Sequence, residues 1–87
     1  MSRTRKLLLA ARAGRQIRYD DLIALTEAFG FVRSMARKRG SHDCKYSYPG
    51  WDGLLLFQQG SGGQAMKYQV RQLLKAVDKL DLHLDRE

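Results

Sequence analysis

Apolar residues recur along this chain first with a helical period, then with a period of two, then with a helical period again. From Arg3 to Ala13, Leu7, Leu8 and Ala11 form a stripe at i, i+1 and i+4, Arg3, Arg5, Lys6 and Arg12 cover the remainder, and Gly14 follows as a stop. This predicts a short amphipathic helix, followed by a connector from Arg15 to Arg18. A second helix is predicted from about Tyr19 to Phe29. Its acids Asp20 and Asp21 sit in the first turn, where the helix dipole favours them, Leu22, Leu25, Ala28 and Phe29 share a face, and Gly30 closes it.

After Gly30 the period shortens to two. Phe31, Arg33, Met35 and Arg37 alternate with Val32, Ser34, Ala36 and Lys38, which predicts a strand with neither face cleanly apolar. Gly40-Ser41 reads as a turn, and His42 to Tyr48 as a second strand with His42, Cys44, Tyr46 and Tyr48 on one side. Pro49-Gly50-Trp51-Asp52-Gly53 is dense in turn residues, and Leu54-Leu55-Leu56-Phe57 after it reads as a buried strand. The glycines between Gln59 and Gln64 predict a flexible loop. From about Met66 to Leu80 a last helix places Val70, Leu73, Leu74, Val77 and Leu80 on one face, and the charged tail from Asp81 to Glu87 is expected to fray. The order helix, helix, three strands, helix, with short links between strands, predicts an α+β domain: an antiparallel meander covered on one face by helices.

Composition refines this only modestly. With 87 residues, 44% apolar and 29% charged, the chain is expected to fold as one domain spanning 1–87, near the lower size limit for a core without disulfides or metal. Its one cysteine, Cys44, allows no intrachain disulfide, which fits a reducing compartment such as the cytoplasm. The apolar run Leu7 to Ala11 is too short for a signal-peptide core or a membrane span, so no membrane association is expected.

Charge changes the picture more. Residues 1–40 hold 10 Lys or Arg and 3 acids, a net of +7, whereas residues 41–87 hold 6 of each. A basic half marks either a polyanion partner, drawn by long-range attraction and counterion release, or the face of an acidic protein. Within that half lies Arg37-Lys38-Arg39-Gly40-Ser41-His42, where a cationic run meets a glycine hinge, a hydroxyl and an imidazole. His42 is the candidate catalytic residue, because imidazole both accepts and donates a proton near neutral pH. Arg37, Lys38, Arg39 and Lys45 are candidates for holding a phosphate, and Ser41 either orients it or caps the turn.

If the ligand is RNA, the chemistry suggested is attack of a ribose 2′-hydroxyl on its own phosphate. The nucleophile then comes with the substrate, and the protein has to supply a proton acceptor or donor, a cationic clamp and in-line positioning, with no metal required. Metal binding is poorly supported: His42, Asp43 and Cys44 alternate along a strand and His83 lies in the tail. A Cys44–His42 nucleophilic pair is disfavoured by the mid-strand position of Cys44 among residues expected to pack. Tyr46, Tyr48 and Trp51 can be read as base-stacking platforms or as sheet packing, with Trp51 the stronger candidate for stacking. The glycines from Gly60 to Gly63 lack the Lys-Ser or Lys-Thr pair of a phosphate-binding loop.

Gly30-Phe31, Arg39-Gly40-Ser41-His42 and Tyr68-Gln69-Val70-Arg71-Gln72-Leu73, in that order, resemble the HicA family of bacterial toxins over about Ile17 to Leu80. The resemblance implies a fold like the double-stranded RNA-binding domain, ribonuclease activity on messenger RNA without a cofactor, catalysis carried by His42, and neutralisation by a HicB-type antitoxin. Residues 1–16 are an addition to the pattern, and Tyr68-Gln69 stands where many members have Gly-Thr. Two rivals remain beside this reading: a non-catalytic RNA-binding module of the same fold, and a basic domain that meets an acidic protein.

Overall fold

The computed structural model describes residues 3–34 and 44–84. Within them lie α1 (Arg3–Arg12), α2 (Tyr19–Ala28), β1 (Val32–Arg33), β2 (Cys44–Ser47), β3 (Leu55–Phe57), a single 3₁₀ turn (Ser61–Gly63) and α3 (Lys67–Lys79). The chain is thus α+β, with three helices and one three-stranded antiparallel sheet in the order β1-β2-β3 among the described residues. No helix among them is long and apolar enough to cross a membrane.

All three helices stop by the same device. Gly14, at φ +80, lets its own N–H reach the Ala11 carbonyl while Arg15 N–H reaches Ala10, and Gly30, at φ +97, does the same with Glu27 and, through Phe31, with Thr26. These paired bonds satisfy carbonyls that the helix would otherwise leave open, and they require a left-handed residue at the turn. After α3 the left-handed residue is Asp81, with Leu82 N–H bonding the Val77 carbonyl. That cap turns the chain back, and Leu82 and Leu84 pack against the core. The tail expected to fray from Asp81 is therefore docked as far as Leu84; residues 85–87 lie outside the described residues.

The sheet is buried on one face only. In the ladder Tyr46 opposes Arg33 and Leu55, and Lys45 opposes Leu56. Opposed residues share a face, so Tyr46, Leu55 and Phe57 point to the helices, and Val32, Lys45, Ser47 and Leu56 point away. The expectation of a wholly buried Leu54–Phe57 strand is corrected by this alternation: Leu55 and Phe57 are buried, while Leu54 and Leu56 are exposed. A run of four apolar residues imitates a two-sided strand, but β3 is an edge strand of a sheet covered on one side.

The buried face is fixed by polar bonds as well as by packing. Leu22 and Leu25 of α2, Phe29 at its C-cap, and Val70, Leu73 and Val77 of α3 close over Tyr46, Leu55 and Phe57. Ala28, read as part of the apolar face of α2, is exposed; Thr26 is buried instead, its hydroxyl donating to the Leu22 carbonyl at 2.7 Å. Tyr46 is fully buried and donates its hydroxyl to Glu27 Oε2 at 2.6 Å. The glycine-rich stretch is tied rather than loose: Gly60 N–H bonds the Gln64 carbonyl, Arg18 bridges Gln64, and Ala65 N–H bonds the Ile17 carbonyl at 2.9 Å.

The added helix α1 docks through Ala11 and the half-buried Leu7 and Leu8, and two ion pairs orient it. Arg3 reaches Asp21 of α2 at 3.0 Å, and Arg12 reaches Asp78 of α3 at 2.9 Å. The hydrogen bond from Arg12, opposed by desolvation and helped to a smaller extent by the Arg12 charge, lowers the Asp78 carboxyl below the usual carboxylate value.

Candidate nucleic-acid interface

Arg37, Lys38, Arg39, Ser41 and His42 lie outside the described residues, but both anchors of their segment are inside. Ser34 N–H donates to the Lys45 carbonyl at 2.8 Å, extending the β1–β2 ladder by one bond. The chain therefore leaves β1 and re-enters β2 at adjoining positions, at the end of the sheet where Phe57 opposes Cys44. Both described flanks of the segment thus lie at one end of the sheet.

Two helices begin at that same end. Tyr19, the first residue of α2, donates its hydroxyl to the Phe57 carbonyl at 3.4 Å. Gln69, in the first turn of α3, accepts the Gln58 N–H at 3.1 Å on its Oε1. Helix N-termini carry partial positive charge and unpaired N–H groups. In α2, Asp20 and Asp21 offset this charge; α3 has no acid in its first turn and no side-chain cap, and it opens with the exposed Lys67. Lys45, exposed on the open face of β2 one residue past Cys44, adds a further cation.

Trp51 sits elsewhere. It follows the Ser47 end of β2, half-buried, with its ring edge-to-face on Phe31 at 6.0 Å, and a side chain at Gly53 would collide with its indole. The structure brings Lys45 to the end where the basic segment is anchored and places Trp51 beyond the other end of the same strand. Of the tyrosines, Tyr46 is core, and Tyr48 is half-buried in an edge-to-face contact with Phe31 at 5.3 Å, so the packing reading describes both.

The side chain of Gln69 is fully engaged. It is 1% exposed, with Oε1 on Gln58 N–H and Nε2 donating to the Tyr68 hydroxyl at 3.1 Å and lying 3.6 Å from the Met66 sulfur. This residue latches α3 to the end of β3.

Counting charge by halves overlooked α3. Lys67, Arg71, Lys75 and Lys79 are all exposed and recur every four residues, so a nominally neutral half carries a cationic ridge. Helical spacing within the segment was the signal that would have found it. Comparison with protein-family models, with curated proteins and with solved structures found no match in any of the three.

Proposed function

We propose that this chain is a small endoribonuclease of the HicA type, with a double-stranded-RNA-binding-domain-like fold, acting on messenger RNA and neutralised by a HicB-type antitoxin. His42 serves as general acid or base, and Arg37, Lys38, Arg39, Ser41 and Lys45 hold the RNA backbone. What supports the reading is the Gly40-Ser41-His42 pattern of the sequence, together with the described residues that flank its segment: Ser34 and Lys45 are bonded at the end of the sheet where Tyr19 and Gln69, at the starts of α2 and α3, bond Phe57 and Gln58. Cations and helix N-termini at that end attract a phosphate.

In the proposed reaction the 2′-oxygen attacks the adjacent phosphorus and the bond from phosphorus to the 5′-oxygen breaks. One strand keeps a 2′,3′-cyclic phosphate and the other gains a 5′-hydroxyl. The 2′ proton leaves to a base and the departing 5′-oxygen takes a proton from an acid; His42 performs one of these transfers. The cations offset charge that grows on the phosphoryl oxygens in the transition state.

Incubating the purified protein with RNA in EDTA tests this directly. Cleavage leaving 2′,3′-cyclic ends is expected, and His42→Ala, folded by circular dichroism, is expected to lose about 10²–10⁴-fold in rate. Unchanged cleavage and growth arrest in that variant would remove His42 from the mechanism. The second reading, RNA holding without cutting, draws on Gln69, whose side chain is spent on Gln58, Tyr68 and Met66 at a position where, by the resemblance, many HicA members have threonine. It predicts salt-sensitive binding that survives His42→Ala.

A further inference from the structure

Among the described residues, nothing pairs with the outer edge of β3. Ser34 bonds the Lys45 carbonyl, so the backbone groups of Lys45 face β1, and those of Cys44 and Tyr46 face β3. Leu55 and Phe57 therefore complete the ladder to β2, and the N–H and C=O of Leu56 point away from it, toward an edge where no described residue pairs. The usual guards of an edge strand, a lysine, a proline or a bulge, are missing from Leu54-Leu55-Leu56. At the far end Gln69 takes the Gln58 N–H, which marks where an added strand would stop.

Alongside this edge runs an open groove lined by Trp51, Leu54, Leu56, Tyr68, Lys75 and Lys79. Leu54, Leu56 and Tyr68 each leave about half their surface exposed. Tyr68, Lys75 and Lys79 lie on one flank of α3, at i, i+7 and i+11. No ion pair among the described residues engages either lysine.

We propose that this edge and groove receive an extended segment of a protein partner, alternating apolar and acidic residues, as a fourth strand. A residue opposite Leu56 shares its face, so every second side chain of the segment lies against Leu54 and Leu56. The intervening side chains point toward α3, where carboxylates meet Lys75 and Lys79. Charge selects this occupant over a second copy of the chain, whose own edge carries Leu-Leu-Phe without an acid and would bring the two lysine pairs together. It is favoured over RNA by the free amide pair and the leucines, which a peptide strand satisfies and a sugar-phosphate backbone does not. The surface is separate from the end at which Ser34 and Cys44 anchor the basic segment, so the proposal stands whether or not the chain cuts RNA.

A capped synthetic peptide alternating valine and glutamate is the probe, followed by amide hydrogen exchange and chemical shifts of the labelled protein. Slowed exchange at the Leu56 N–H, with shifts along Leu54–Leu56 and the Lys75–Lys79 flank, is the expected result. Leu56→Pro removes the outward N–H without touching a bond to β2 and is expected to abolish binding. The exposed pair Lys75→Glu and Lys79→Glu, which leaves the core intact, is expected to weaken it at least roughly tenfold and to admit a valine–lysine peptide instead. The proposal is overturned if about 1 mM peptide leaves the Leu56 amide unprotected. It is equally overturned if the charge-reversed protein binds the acidic peptide as well as before, or if a uridine oligonucleotide or protein self-association protects the same amides more strongly.

Discussion

Gln69 shows how a single buried amide can do structural work at the start of a helix. Its carbonyl oxygen accepts the Gln58 N–H, its amide group donates to the Tyr68 hydroxyl, and it is almost fully enclosed. Removing it leaves a backbone donor without a partner at the end of β3. Gln69→Ala is expected to cost about 1–3 kcal/mol in urea unfolding, and Gln69→Met, which keeps the volume, is expected to recover only part of that. Tyr46 makes the complementary point: a residue read as able to stack on bases is committed to the core through its ring and to Glu27 through its hydroxyl.

At the scale of elements, the question is what holds α1 in place. Its apolar contribution is small, with Ala11 buried and Leu7 and Leu8 half-buried, so the Arg12–Asp78 pair carries weight in orienting it. The Asp78 carboxyl is held below its ordinary value of 3.8 by Arg12. A carboxylate depressed in the folded state stabilises that state above its unfolded pKa and ceases to do so as pH falls through the folded value. The α1–α3 tie is therefore expected to persist at neutral pH and to loosen in acid below 3.8. Hydrogen exchange of the α1 amides across that range checks this: protection is expected to fall with pH in the native chain, and Asp78→Asn is expected to show the loosened state throughout.

For the molecule as a whole, the anchor end of the sheet and the β3 groove form two surfaces that charge counting alone merges into one basic protein. Lys45 belongs to the first, Lys75 and Lys79 to the second. Lys45→Glu is expected to lower RNA affinity and to flatten its salt dependence by about one to two phosphate contacts, measured by titration at several salt concentrations. Equal losses of RNA affinity from Lys45→Glu and from reversal of the Lys75–Lys79 pair would show instead that the cations act as one undivided field.

The sequence by itself determined the element order, because helical and strand periods differ and glycines stand at the positive-φ turns that end α1 and α2. It also singled out Lys45 and Trp51 as residues to locate, together with the basic segment from Arg37 to His42. Tertiary structure alone decided which face each residue joined. Four consecutive apolar residues do not record which face of a sheet is covered, so the exposure of Leu54 and Leu56 depended on the helices packing against one face only. Docking of Leu82 and Leu84 depended on a left-handed Asp81 folding the tail back, and the convergence of two helix starts with the Ser34–Cys44 anchors depended on bonds between residues 11 to 38 positions apart. Local pattern records how a segment twists, whereas a site or a groove is made where distant segments meet.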